Sequence, residues 1–485
     1  MYRVILYSLV FLLSAAVFAR VHSRKVRQPI LLIGSYVLYL SWSFWGAGIL
    51  LASTLMNFLL GESLRRKPTR LALAAGIVLN LVLLSSFKYL PEVAINIPFS
   101  SLQRLAQVVL PLGISFWTFQ AMSYLFDLYR GEELDPSFFE FALYMAFFPV
   151  AISGPICRMP DMLPQFRGDK ATSWNDIGRG FARIATGMLM MQLARLLGQG
   201  ILSGDGLVRG FDHTTVWSGT DVWCLGFGYG LQLFFDFAGY SHIAIGSAKA
   251  LGFTLPENFA RPFRSITPSI FWTRWHMSLS FWIRDYVFFP LAMLRREMWW
   301  RNVMLALSMV LFGLWHKASV LFLLWGCYHG VLLVSHRQIQ QLQRRCDWNP
   351  PTALWTPLSW LVTIATISLG WILFRANSLP QAIQMLSAAF APASYSMHFL
   401  SGSLYLLIVA LAAGYATVLF VSDVLDRYSI EPCATPARSH PSAMAVLARH
   451  RWYWLPPVYI LALIVILILT HGQDAGAAQF MYRRF

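Results

Sequence analysis

Three histidines, His276, His316 and His329, stand in strongly apolar and aromatic surroundings. Imidazole gains and loses a proton near neutrality, so each of them can take the proton of a hydroxyl and activate its oxygen as a nucleophile. A thioester would suit such a nucleophile, because its leaving group is good enough to need no covalent enzyme intermediate. The competing reading is a core histidine satisfied by a backbone carbonyl. Residue type alone leaves both readings open. His242 has no polar neighbour beyond Ser241 and reads as a core histidine.

Ionisable groups among aliphatic and aromatic residues are costly inside a membrane and point to function. They are densest between 231 and 334, where Asp236 and Asp285 also occur. If 276–284 is helical, His276, Ser280 and Arg284 share one face, because residues four apart stack on a helix. Asp285 then points away and pairs with a neighbouring basic group. His316 and His329 are 13 positions apart and cannot share a face of one straight helix. They either bound the polar part of one segment or flank a break near Gly326. The chain has no G-x-S-x-G elbow, H-E-x-x-H string, phosphate-binding loop or dinucleotide fingerprint. The five cysteines show no metal spacing, so no metal site is expected and most read as buried small hydrophobes.

The elements that must position these groups are membrane helices. Of 485 residues, 57% are hydrophobic and 12% charged, about half the charged share of a soluble protein. Long apolar stretches at 71–87, 360–374, 404–421 and 458–469 are edged by aromatic or charged residues. The first 20 residues read as a retained span rather than a cleaved signal, because the apolar run continues past Ala15-Ala16 into a basic cluster. The segment 138–157, interrupted by Pro149, Gly154 and Pro155, suggests a dip into the membrane and an internal chamber.

The net charge of +16 sits in short clusters between apolar segments, which fits cytoplasmic loops better than nucleic-acid binding. Arg20, Arg24, Lys25 and Arg27 form one cluster and Arg65, Arg66, Lys67 and Arg70 another. A two-helix hairpin over 29–61 puts both on the cytoplasmic side and the N-terminus outside. The basic stretches 295–301 and 337–345 fit the same side. The clearest loops are 347–357 and 429–451.

Six strings, in order, carry a family resemblance: LPLGISFWTFQAMSYLFDLYRG, QLFFDFAGYS, PENFARPF, FWTRWHMSLSFWIRDYVF, FGLWHKA and WGCYHG. In these the chain resembles the membrane-bound O-acyltransferase (MBOAT) family. It is similar to its bacterial branch, which includes alginate and cellulose O-acetyltransferases and teichoic-acid D-alanyltransferases. The resemblance implies an all-α polytopic membrane protein, with about a dozen transmembrane or re-entrant helices around a central tunnel. It implies one membrane domain over 1–485, a catalytic core over 110–334, and flanking helices in 1–109 and 335–485.

It also implies that His329, which ends the W-G-x-x-H-G string, is the general base. His276 positions or polarises, and His316, Ser280, Arg284, Asp236 and Trp325 support. Three positions depart from the family pattern: His242 where Asp is usual, Lys317 where Gly is usual, and AMLRREMWWR in place of a P-L-G-G-N-R loop. They bear on donor docking and on the acceptor, not on acyl transfer.

The expected activity is transfer of an acyl group, acetyl foremost, from acetyl-CoA or an acylated carrier protein to a glycan hydroxyl outside the membrane. No permanently bound cofactor is expected, and no nucleic acid. Arg295, Arg296 and Arg301 could hold the donor's phosphates. Membrane lipid surrounds the chain, and an extracytoplasmic acyltransferase and a polysaccharide synthase complex are the expected partners, in a bacterial inner membrane. D-Alanyl transfer to teichoic acid or lipid is the alternative acyl chemistry. A multi-pass transporter or exporter is the alternative of another class. The two halves show no internal repeat, and the six strings favour the enzyme over a silent scaffold.

Overall fold

The computed structural model describes residues 2–91, 110–151, 154–169, 172–201, 204–348, 351–396, 398–430 and a few positions between 454 and 464. The described elements are all helical. They include α1 (Tyr2–Phe18), α2 (Arg24–Trp42), α3 (Phe44–Arg66), α4 (Arg70–Lys88), α5 (Ile114–Tyr129), α6 (Phe138–Ala146) and α7 (Trp174–Gln199). They continue with α8 (Gly219–Ala250), α9 (Met298–His316), α10 (Val320–Arg345), α11 (Thr352–Arg375) and α12 (Gly402–Ile430). Among the described residues, six helices (α3, α4 and α9 to α12) are long and apolar enough to cross a membrane.

The helix ends follow local chemistry. Two helices cover the expected 29–61 hairpin and run past it, to Arg24 and Arg66, with a break at Ser43, whose extended backbone stops α2 and whose side chain accepts the Gly46 N–H to start α3. Arg65 and Arg66 occupy the last turn of α3, where cations favour the helix dipole. Thr69 then caps α4 after Pro68. Within 138–157, α6 starts on a capping box between Ser137 and Glu140, and a short 3-10 turn at Phe148–Val150 follows.

Two sequence expectations are corrected. The loop expected over 347–357 is shorter, because α11 already begins at Thr352 and absorbs Pro357. Of the four cysteines described, only Cys157 is buried, while Cys327 and Cys346 are exposed. A thiol is small and apolar enough to face lipid as well as a core. The 429–451 loop and most of 458–469 lie outside the described residues.

The chain divides into two compact units. The first takes Met1–Arg183, Ala244–Glu257 and Ser278–Pro290. Here α5 packs against α3 and α4. Two buried asparagines tie α3 to α4 by a reciprocal amide pair: Asn80 donates to Asn57 at 2.7 Å, and Asn57 donates to Asn80 at 3.2 Å. Arg27, expected in a solvated basic loop, is instead buried. It donates to the Leu251 carbonyl at 3.0 Å with its guanidinium over the Phe18 ring. Asp285 does pair with basic neighbours, Arg158 at 2.8 Å and Arg284 at 2.7 Å.

The second unit takes the described residues of Ile184–Ile243, Asn258–Met277 and Leu291–Phe485. In it α9 packs on α10, and α11 packs on α10. Glycines make the first contact possible. A Cβ on Gly326 would lie 2.6 Å from the Met309 carbonyl oxygen, and one on Gly313 2.2 Å from that of Phe322. Small residues let helix backbones approach in this way when both helices lie in lipid.

The asparagine pair gives a test of the first unit. Asn80→Ala leaves the Asn57 amide short of a partner in an apolar setting and should lower stability in detergent by about 1–2 kcal/mol. Replacing both by Leu should recover most of that loss, as read by thermal unfolding of the purified protein.

Candidate active site

His276, His316 and His329, nominated separately by sequence, line one cavity of the second unit. Its volume is about 30 Å3, room for one or two waters. The remaining wall is aromatic and aliphatic, including Phe237 of α8, Trp272 and Trp275, Phe312, Trp325, and Trp371 and Phe374 of α11.

Each histidine arrives by a different local device. His316 is the last residue of α9, and its ring stacks on Phe312 with centroids 5.3 Å apart. His329 lies in the middle of α10. The break between them is therefore at the connection 317–319. It does not lie near Gly326, which serves helix packing within α10.

His276 is on no helix. Its φ of 44° is left-handed, a region costly for a residue with a side chain, and the short helix Met277–Ile283 starts after it. That corrects the expected stripe of His276, Ser280 and Arg284, since residues share a helical face only along a continuous helix. Ser280 and Arg284 are not in the cavity wall, and Arg284 pairs with Asp285.

Two of the sequence strings hold His276 in this conformation. Met277 N–H donates to the Asn258 carbonyl at 2.9 Å, and Ala260 N–H donates to the Arg274 carbonyl at 3.0 Å. Asn258 in turn donates from its side chain to Ser241 at 3.0 Å. The P-E-N-F loop is thus stitched to the R-W-H turn on both sides of the histidine.

His329 is 2% exposed and enclosed by aromatic edges. Trp272 meets it at 5.2 Å between centroids and 89° between planes, and Trp325 at 4.7 Å and 63°. Gly370 of α11 makes room for it, since a Cβ there would lie 2.5 Å from His329 Nε2. Among the described residues, His329 Nδ1 and the indole nitrogens of Trp272 and Trp325 are buried with no protein hydrogen-bond partner. A buried polar atom without a partner is costly, and all three belong to residues of the cavity wall.

Of the other nominated residues, Trp325 is in the wall. Asp236 is buried beside Phe237 but outside it. Arg295, Arg296 and Arg301 are exposed, before α9 and in its first turn, with Arg295 over the Trp300 ring at 4.9 Å. Sequence reasoning missed Trp272 as a wall residue, and missed the whole contribution of α11, beyond the expected core of 110–334. The available signal was Gly370, a glycine inside an apolar helix, which marks a close approach.

A helical membrane protein that converges proton-accepting side chains on a small apolar cavity has the architecture of an enzyme acting on a substrate shielded from bulk water. Residues 99–374 match the family described as MBOAT, membrane-bound O-acyltransferase, and the chain belongs to that family. It is an O-acyltransferase. It is 31% identical over 441 residues to "Probable alginate O-acetylase AlgI" of Pseudomonas putida, covering 86% of each chain. It is 30% identical to "Peptidoglycan O-acetyltransferase" of Helicobacter pylori, over 73% of this chain and 72% of that one. It is also 30% identical to "Teichoic acid D-alanyltransferase" of Bacillus subtilis, over 55% of this chain and 69% of the relative.

The Gly370 contact generates a mutational test. Gly370→Ala should push the His329 imidazole off its position and lower acyl transfer at least about tenfold, with an overpacking cost of roughly 1–3 kcal/mol. Gly414→Ala on α12, where a Cβ meets nothing within 4 Å, should leave activity unchanged. Side-by-side rates of the two purified variants check both halves.

Proposed function

We propose that this chain moves an acetyl group from a cytoplasmic thioester, acetyl-CoA or an acylated carrier protein, towards hydroxyls of an exopolysaccharide or cell-wall glycan outside the membrane. The observation that carries the reading is the small cavity walled by His276, His316 and His329. Similarity over 86% of both chains to a relative named as an alginate O-acetylase supports the glycan acceptor. The small, aromatic cavity suits a short acyl group better than a fatty one. D-Alanyl transfer is the second reading, supported by a similarity that covers 55% of this chain.

In the reaction, His329 takes the proton of the acceptor hydroxyl as its oxygen attacks the thioester carbonyl. His276, held in place by the Asn258 loop, orients the reacting groups. The acceptor hydroxyl belongs to the glycan or to a partner acyltransferase that passes the group on, within a polysaccharide synthase complex in a bacterial inner membrane. Arg295, Arg296 and Arg301 are exposed cations suited to the donor's phosphates. With the basic clusters at 20–27 and 65–70 inside, the N-terminus is extracytoplasmic.

A general base contributes about 10²–10⁴-fold to rate, so His329→Ala should abolish detectable acylation while the melting temperature in detergent stays near that of the unaltered protein. His329→Asn, unable to take up the proton, should restore little, and His276→Ala should cost less. Near-normal transfer by a folded His329→Ala protein would remove the base from the mechanism.

For the topology, single cysteines placed in the 65–70 loop should resist membrane-impermeant labelling of intact cells. Replacing Arg295, Arg296 and Arg301 by Gln should raise the donor KM without impairing insertion. Labelling from outside, or an unchanged KM, contradicts the corresponding assignment.

A further inference from the structure

The attack of a hydroxyl on a thioester has a second electrostatic demand besides the base. As the O–C bond forms, the carbonyl π pair moves onto oxygen, and that oxygen carries a negative charge until the C–S bond breaks. Donors aimed at this oxygen, already in place and shielded from water, are commonly the largest single term in acyl-transfer catalysis. His329 cannot supply them at the atom that acts as base. A His329 nitrogen that accepts the hydroxyl proton cannot also donate at the start of the step.

The cavity wall holds two other donors. Trp272 lies at the end of the short helix Pro268–Trp272, which packs on α10, and Trp325 lies one helical turn before His329 on α10. Both side chains are more than nine-tenths buried, with 8% and 4% exposure. Both line the cavity, and neither indole nitrogen has a protein hydrogen-bond partner among the described residues. Buried indoles usually find one. Their rings flank His329 and also meet each other, at 5.8 Å between centroids and 80° between planes. Hydrophobic packing alone would be met as well by phenylalanine, which has no N–H to leave unpaired.

We propose that the indole N–H groups of Trp272 and Trp325 are the donor pair that receives the acyl carbonyl oxygen beside His329. The step balances. The hydroxyl proton goes to His329, the hydroxyl oxygen bonds the carbonyl carbon, and the carbonyl electron pair rests on the oxygen held by the two indoles. Collapse then restores the C=O bond, breaks C–S, and returns the proton from His329 to the departing thiolate. The assignment rests on the acyl-transfer reading above and adds two catalytic residues to it. It also gives Trp325 a specific part where the sequence suggested only support.

The test uses membrane vesicles carrying the full chain, with radiolabelled acetyl-CoA as the probe and glycan-bound label as the readout. Trp272→Phe and Trp325→Phe keep an aromatic ring and remove the donor. Each should lower kcat by about 10²-fold, the worth of one such donor, with little change in donor KM. The double variant should fall further. Trp174→Phe, exposed and outside the cavity wall, is the control and should keep the kcat of the unaltered chain.

Melting temperature in detergent separates the two explanations. A packing role lowers stability and leaves turnover per folded molecule intact, and that result would overturn the proposal. Full kcat in the folded double variant would overturn it alone, with acyl transfer standing. No transfer of label by the unaltered chain would overturn the parent reading, and the indole pair with it.

Discussion

Backbone-to-backbone packing of α9 on α10, through Gly313, Gly326 and Gly330, is the contact from which the site is built. In lipid, apolar side chains gain little by leaving one hydrocarbon surface for another, so close van der Waals contact between backbones carries the association. Any larger residue at these positions would separate the helices. The W-G-x-x-H-G string then reads as a geometric unit. Its glycines face α9, and its histidine faces the cavity that α11 closes with Gly370, Trp371 and Phe374.

The remaining wall follows from the need to seat ionisable groups in an apolar interior. His316 ends α9, where a helix terminus gives an aromatic-stacked imidazole its place. His276 occupies a left-handed turn that the 258–260 loop holds through backbone hydrogen bonds on either side. Strain of this kind persists only where surrounding structure over-determines it. Three separate devices, a helix end, a turn and a helix middle, bring three imidazoles to one cavity of about 30 Å3. A wall this apolar strengthens each charge interaction formed inside it.

The sequence alone determined the class of the protein. Low charge and long apolar runs set the membrane helices, because 20 or so apolar residues have no other stable setting. A pair of helices over 29–61 and the nomination of His276, His316 and His329 were legible because basic clusters between apolar runs and ionisable residues within them are local signals. The tertiary structure decided the rest. It alone placed His276 off the helix, buried Arg27 against a distant carbonyl, left Ser280 and Arg284 out of the cavity wall, and brought in Trp272 and α11. These outcomes depend on residues far apart in sequence, such as Asn258 with Met277 or Gly370 with His329. Periodicity reports which residues share a face of one element. It carries no term for what another element presses against that face, and here those pressures shape the site.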